Sequence, residues 1–160
     1  MYPRRDYPAL NELAKDFGPQ LQVLGFPTAQ FANQEPGEND EILRCLSEVR
    51  PGGNFTPAFP LMAKTLVNGK REHELWTWLK KLCPLQGSFN YGDISWSPIR
   101  PSDIAWNFEK FLLDKDGRPC MRFDFDVPAA DLHGHIDGIL RNGCRQRVQE
   151  CVVSGAAGRR

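Results

Sequence analysis

The sequence predicts a mixed α/β domain. Apolar residues recur at helical spacing in four segments and form short continuous or alternating runs in four others. The two kinds interleave in the order α-β-α-β-α-β-β-α, which belongs to helices packed on a sheet. Leu, Ile, Val and Phe make up 39 of the 160 residues, enough to build a core.

The first helix is expected over residues 8–17. Pro8 suits a first turn, and Leu10, Leu13, Ala14 and Phe17 fall on one face. Residues 21–26 (LQVLGF) are apolar and end at Pro27, as a buried strand does. Asn39 is a plausible N-cap for a second helix, with Ile42, Leu43, Leu46 and Val49 as its apolar face. Arg50, Pro51, Gly52 and Gly53 must end that helix. Residues 59–62 read as a short strand, and Asn68 with Gly69 as a turn. Leu75, Trp76, Trp78, Leu79 and Leu82 form a third helix that stops before Pro84. Residues 83–101 are a long connection. Residues 108–113 and 120–127 read as two strands joined by a turn at 114–117. In the second, Met121, Phe123, Phe125 and Val127 alternate with Arg122, Asp124 and Asp126, which predicts one buried and one polar face. Leu132, Ile136, Ile139 and Leu140 mark a last helix. The chain is expected to be one domain over residues 1–143 with a basic tail over 144–160.

Charge and composition narrow the function. Twenty Lys and Arg balance twenty Asp and Glu. A dedicated nucleic-acid binder would carry a basic excess. The balance hides a gradient, because residues 141–160 hold five Arg against one Glu. No apolar run approaches the roughly 18 residues of a membrane span. No partnership with nucleic acid or membrane is therefore expected. The N-terminus shows no secretory h-region. The five cysteines contain no C-x-x-C pair, so neither a disulfide framework nor a structural zinc site is expected. His133 and His135 with Cys144 are a weak metal pattern, and no metal is expected.

Several blocks, in order, carry a family resemblance. Leu24-Gly25-Phe26-Pro27-Thr28-Ala29-Gln30-Phe31 resembles a signature of the glutathione peroxidase family that reads roughly LGFPCNQF. Trp106-Asn107-Phe108-Glu109-Lys110-Phe111-Leu112 matches that family's WNFEKFL block without change. Val49-Arg50-Pro51-Gly52-Gly53 and Val67-Asn68-Gly69 lie between them at the family's spacing. Arg5-Asp6-Tyr7 with Asn11-Glu12-Leu13 looks like the helix after the reactive residue. The resemblance implies a thioredoxin-like fold, with a mixed central sheet flanked by helices. It also implies reduction of hydrogen peroxide or organic hydroperoxides, an antioxidant role in oxidative stress. Glutathione would serve as reducing co-substrate, with no bound cofactor. By motif, Gln30, Trp106 and Asn107 fall on the catalytic set. Their amides and indole are neutral donors that can stabilise a thiolate or selenolate and the developing charge on a leaving oxygen. Arg5 and Arg50 fall on positions that offer charge to the carboxylates of glutathione.

The resemblance also implies differences. The nucleophile, selenocysteine or cysteine, would fall one residue before Met1. The expectation is a fragment that lacks the N-terminal hairpin and the first core strand, inactive and poorly folded alone. Thr28 and Ala29 replace the signature's Cys and Asn. Phe125 and Asp126 stand where the family often has a basic pair, which should weaken binding of an anionic thiol. The Arg50-Pro51-Gly52-Gly53 loop resembles the tetrameric branch, so a homotetramer is expected. The cytoplasm is the expected location. A non-catalytic, glutathione peroxidase-like binding or oligomer subunit is the alternative function.

Overall fold

A computed structural model describes residues 2–84 and 94–144 of the chain and the backbone of 152–154. Helix α1 spans Tyr2–Phe17, so it begins a turn and a half before the expected start and runs through Pro8. A proline inside a helix removes a hydrogen bond and crowds the preceding turn. Tertiary anchors hold that first stretch in place. Asp6 is fully buried and accepts from the Ala129 N–H at 2.8 Å. Arg5 donates to the Phe125 carbonyl at 2.6 Å. Leu10, Leu13 and Phe17 turn inward as their spacing predicts.

A single 3-10 turn, Gly18–Gln20, leads into residues 21–26. These residues are extended near Gly25, but the expected strand is reduced to one parallel bridge between Gly25 and Leu61. The expected strand at 59–62 is reduced to the other half of it. The Gly25 N–H donates to Pro60 O at 3.0 Å, and the Met62 N–H to Gly25 O at 2.8 Å. A Cβ at Gly25 would meet Leu61 Cδ2, so any larger residue there would have to push the Leu61 side chain aside.

Helix α2 spans Ile42–Glu48 and buries Ile42 and Leu46. Asn39 does not cap it. Its Oδ1 accepts from the Lys64 N–H at 2.7 Å, tying two loops together instead. The chain leaves α2 through a cis Arg50–Pro51 peptide and two glycines of positive φ. Helix α3 spans Glu74–Leu82, where His73 Nδ1 accepts from the Leu75 N–H at its start. Trp76 of α3 packs edge-on against Phe26 and Phe111.

Strand β1 (Lys110–Leu113) and strand β2 (Pro119–Phe123) form an antiparallel hairpin. Its turn is closed by Asp114 Oδ1, which accepts from the Asp116 and Arg118 N–H groups. Strand β3 (Val152–Ser154) pairs in parallel with β2, giving the order β1-β2-β3. That strand lies in the segment read from sequence as a basic tail. Helix α4 spans His133–Asn142 after a 3-10 turn, Ala129–Leu132.

Three expectations are corrected. Strand β2 stops at Phe123, because Asp124 turns the chain by accepting from the Asp126 N–H. Arg122 is fully buried, so β2 has no polar solvent face. Phe111 and Leu112, neighbours in β1, enter different apolar clusters, which shows that the hairpin is covered on both sides. The third correction concerns disulfides. Cys120 of β2 is bridged to Cys144 beyond α4, with Cα atoms 5.6 Å apart, and Cys83 is also disulfide-bonded. Spacing arithmetic missed these because the fold, not the sequence, brings the partners together. Cys45 is a free thiol.

Candidate functional site

Gln30 sits just past the extended segment, where Phe31 bridges to Ile94. Its own N–H reaches Thr28 Oγ1 at 3.4 Å, so the threonine at the signature's cysteine position acts as a local turn partner. The Gln30 side chain is buried and held by the backbone of the 67–68 turn. Its Oε1 accepts from the Val67 N–H at 2.7 Å and the Asn68 N–H at 3.0 Å. Its Nε2 donates to Asn68 O at 2.9 Å. The main chain of Gln30 is fixed as well, because Ser95 Oγ donates to its carbonyl at 2.8 Å.

Trp106 and Asn107 follow the buried pair Ile104 and Ala105. The Asn68 side chain grips Ile104 on both backbone atoms, accepting from its N–H and donating to its carbonyl, each at 2.8 Å. Trp106 packs on Phe31 with ring centroids 5.8 Å apart. Asn107 Nδ2 donates to Gln34 Oε1 at 3.0 Å, and Phe108 then takes a positive φ of 67°. The segments that carry Gln30 and the Trp106-Asn107 pair are thus neighbours, joined through Phe31, Gln34 and Asn68.

Arg5 lies elsewhere on the surface of α1. It donates to Phe125 O, Asp126 O and Asp6, and stacks over the Tyr2 ring at 4.7 Å. It therefore touches the residues that replace the family's basic pair. Tyr2 Oη adds a bond to Asp126 Oδ1 at 3.0 Å. Arg50 is exposed beyond the end of α2, on a different element from Arg5. The expected position of the reactive residue precedes Met1, which lies outside the described residues.

Charges behind the site are buried and paired. Lys80 Nζ contacts Glu72 at 2.6 Å, Asp103 at 2.9 Å and Asn68 Oδ1 at 3.1 Å. Asp103 also accepts from Trp96 Nε1 at 2.8 Å. The sequence places Asn68 in a turn and in the Val67-Asn68-Gly69 block but predicts none of these contacts, and it singles out no role for Lys80. The available signal was that Lys80 follows Trp76 by four positions, on the inward side of α3.

The metal pattern does not assemble. His133 packs on Phe17 and His135 on Phe123. Among the described residues, the donor atoms that do converge belong to Asp114, Cys120 and Cys144. Their two sulfurs are already joined to each other, and the Asp114 carboxylate closes the hairpin turn.

Known proteins resemble this chain in sequence and in fold. The family model "Glutathione peroxidase" matches residues 3–80. The epididymal secretory glutathione peroxidase of Sus scrofa is 49% identical over 140 residues, covering 84% of this chain and 63% of its own length. Glutathione peroxidase 2 of Homo sapiens is 42% identical over 147 residues, covering 86% of this chain and 75% of its own. The chain thus spans about two thirds to three quarters of these relatives. The crystal structure of T. cruzi GPX1 superposes with a TM-score of 0.57 at 29% identity, covering 84% of this chain and 71% of that one. The fold is the thioredoxin-like one that the motifs imply. Its sequence blocks, its fold and its relatives agree, and the chain belongs to the glutathione peroxidase family.

Proposed function

We propose that this protein reduces hydrogen peroxide or organic hydroperoxides with glutathione, using Gln30, Trp106 and Asn107 as donors around the reactive group. The observation that carries this is the anchored Gln30 amide. Its Oε1 takes two backbone N–H groups, which fixes the NH2 end in one direction. One of the two Nε2 hydrogens goes to Asn68 O, and in this reading the other is assigned to the reacting oxygen or anion. A donor held before the reaction needs no reorganisation when charge develops, which is how such groups lower barriers.

The chemistry has two stages. A thiol or selenol attacks the outer peroxide oxygen. The O–O bond breaks, an alcohol or water leaves with the proton, and the nucleophile becomes a sulfenic or selenenic acid. Two molecules of glutathione then reduce it, forming glutathione disulfide and water. Arg5 and Arg50 are the groups that would meet the glutathione carboxylates, and a homotetramer is the assembly suggested by the loop after α2. The Cys120–Cys144 disulfide favours an oxidising compartment over the cytoplasm expected from sequence. None of the described helices is long and apolar enough to cross a membrane.

The test is peroxide-dependent oxidation of glutathione by the native full-length protein. Gln30→Ala and Trp106→Phe should each slow the peroxide step by about tenfold to a thousandfold. Full-length protein with no such turnover would overturn the reading in favour of a non-catalytic subunit.

A further inference from the structure

We propose that the cavity between α3 and the segments at 69–72 and 100–102 binds a dianionic phosphate group, free or as a monoester, through Lys70, Lys81 and Arg100. The proposal goes beyond the peroxide reading and does not rest on it. The cavity has a volume of about 370 Å3, and its wall includes Lys70, Glu72, Lys80, Lys81, Arg100 and Ser102.

The charges around it do not balance. Lys80 is buried and already holds Glu72 at 2.6 Å and Asp103 at 2.9 Å. Both carboxylates have further donors. Glu72 accepts from Thr77 Oγ1 at 2.8 Å, and Asp103 from Trp96 Nε1 and the Arg100 N–H. Arg100 reaches Glu72 through one nitrogen at 3.5 Å, with its side chain half-exposed. Lys70 and Lys81 are exposed and enter no ion pair among the described residues. Four cations thus share two carboxylates, which leaves two positive charges facing one cavity. A phosphate monoester carries about −1.5 to −2 at neutral pH and restores the balance on a single group.

The main chain beneath each cation is fixed before a ligand arrives. The Lys70 N–H donates to Ser97 O at 3.1 Å. Gly69, just before it, has a φ of 92°, and a Cβ there would press on Trp96 Cβ at 3.1 Å and Ser97 O at 3.2 Å. The Arg100 N–H is held by Asp103 Oδ2 at 2.9 Å, while Asp103 Oδ1 holds Lys80 of α3. One buried carboxylate therefore sets the Arg100 wall against the helix wall. Lys81 follows Lys80 in the last turn of α3. A fixed backbone lowers the ordering cost of binding. The guanidinium supplies a planar fork and the two ammonium groups supply point charges, the two ways in which proteins hold phosphate.

Titration of the native full-length protein with inorganic phosphate, at constant ionic strength, tests this. Calorimetry should give saturable binding of one phosphate per chain, and the thermal midpoint should rise with phosphate concentration. The double change Lys70→Gln with Lys81→Gln should weaken binding by at least about tenfold, and Arg100→Gln should weaken it independently. Lys15→Gln with Lys115→Gln removes the same charge from exposed positions on other elements, and should leave the affinity within about twofold of the parent. No saturable binding, or equal loss in the two double variants, overturns the proposal. Glycerol 3-phosphate and phosphatidylcholine vesicles with and without phosphatidic acid then separate the sources. Displacement of phosphate by glycerol 3-phosphate, without retention on either vesicle, supports a soluble ligand. Retention on the phosphatidic acid vesicles alone, lost in Lys70→Gln with Lys81→Gln, supports a lipid headgroup.

Discussion

Glu109 and Arg122 meet across the β1–β2 hairpin and are both withdrawn from water. Arg122 Nε and Nη2 each lie 2.8 Å from Glu109 Oε2, with side-chain exposures of 0% and 1%. The other Glu109 oxygen accepts from the Ala105 N–H. Arg122 Nη1 and Nη2 donate onward to the carbonyls of Cys83, Ser102 and Asp103 at 2.9–3.0 Å. Its guanidinium lies 5.0 Å over the Phe111 ring. One arginine thus ties the hairpin to the end of α3 and to the segment leading into Trp106. Burial raises the Glu109 pKa, with the charge and bonds of Arg122 pulling against it.

Arg122→Met should be strongly destabilising, because it leaves Glu109 buried without its counter-charge. Losing one partner of a buried pair costs about 3–5 kcal/mol. The double change Glu109→Met with Arg122→Met should cost less than Arg122→Met alone, because it leaves no charge behind. Urea unfolding of the parent and the two variants checks this. A single variant within about 1 kcal/mol of the parent would contradict the burial of the pair.

Cys120→Ser should lower stability by about 3 kcal/mol under oxidising conditions. The bridge to Cys144 closes a loop of sequence separation 24, and the loop-entropy relation gives that magnitude. Reduction removes every disulfide in the parent, the one at Cys83 included, so the variant should lose less on reduction than the parent does. Thermal melts with and without a thiol reductant read the difference. A Cys120→Ser melt that matches the oxidised parent would contradict the stabilising role.

The legibility of the fold varied for physical reasons. Helix α3 was plain because Leu75, Leu79 and Leu82 repeat at helical spacing and Pro84 ends the run. The start of α1 was hidden because Pro8 looks like a first turn, whereas Asp6 and Arg5 hold the preceding turn through bonds to residues 125–129. The run LQVLGF was legible as extended chain, but a strand also needs a ladder partner, which one segment cannot reveal. Arg122 was misjudged because alternation signals a polar face only where water lies on that side. Motif resemblance nominated Gln30, Trp106 and Asn107, and the fold shows that their segments are neighbours through Phe31, Gln34 and Asn68. The role of Asn68 was not legible, since its partners at positions 30, 80 and 104 are distant in sequence.

The glutathione side should respond to charge at position 126. Asp126 places an acid beside Arg5, where it accepts from Tyr2 Oη. Asp126→Arg should speed the glutathione step of the native full-length protein several-fold at low ionic strength. The gain should shrink as salt rises, since steering of an anion is screened. The peroxide step should stay within about twofold of the parent, because Gln30 and Trp106 belong to another part of the structure. A glutathione step unchanged at low salt would remove Arg5 and its surroundings from the thiol site.

Stability should rise between about pH 8 and pH 10 through Lys110. Its Nζ donates to Val127 O and lies 3.9 Å from Asp6 Oδ1, with the side chain largely buried. Burial pushes its pKa down from 10.5 to about 8, against the pull of Asp6. Between these two values the unfolded chain binds more protons than the folded one, so unfolding becomes harder as pH increases. Below about pH 8 the handicap is present in full and gives no slope. Tyr7 acts in the opposite sense. Burial among Phe55, Phe59 and Phe108 pushes its phenol up to about 12, so the folded state holds the proton longer and stability falls with pH above about 10. Urea midpoints from pH 7 to 11 should therefore climb and then turn down. Lys110→Met should flatten the climb, and Tyr7→Phe should soften the fall. A climb between pH 8 and 10 that survives unchanged in Lys110→Met would show that another group carries it.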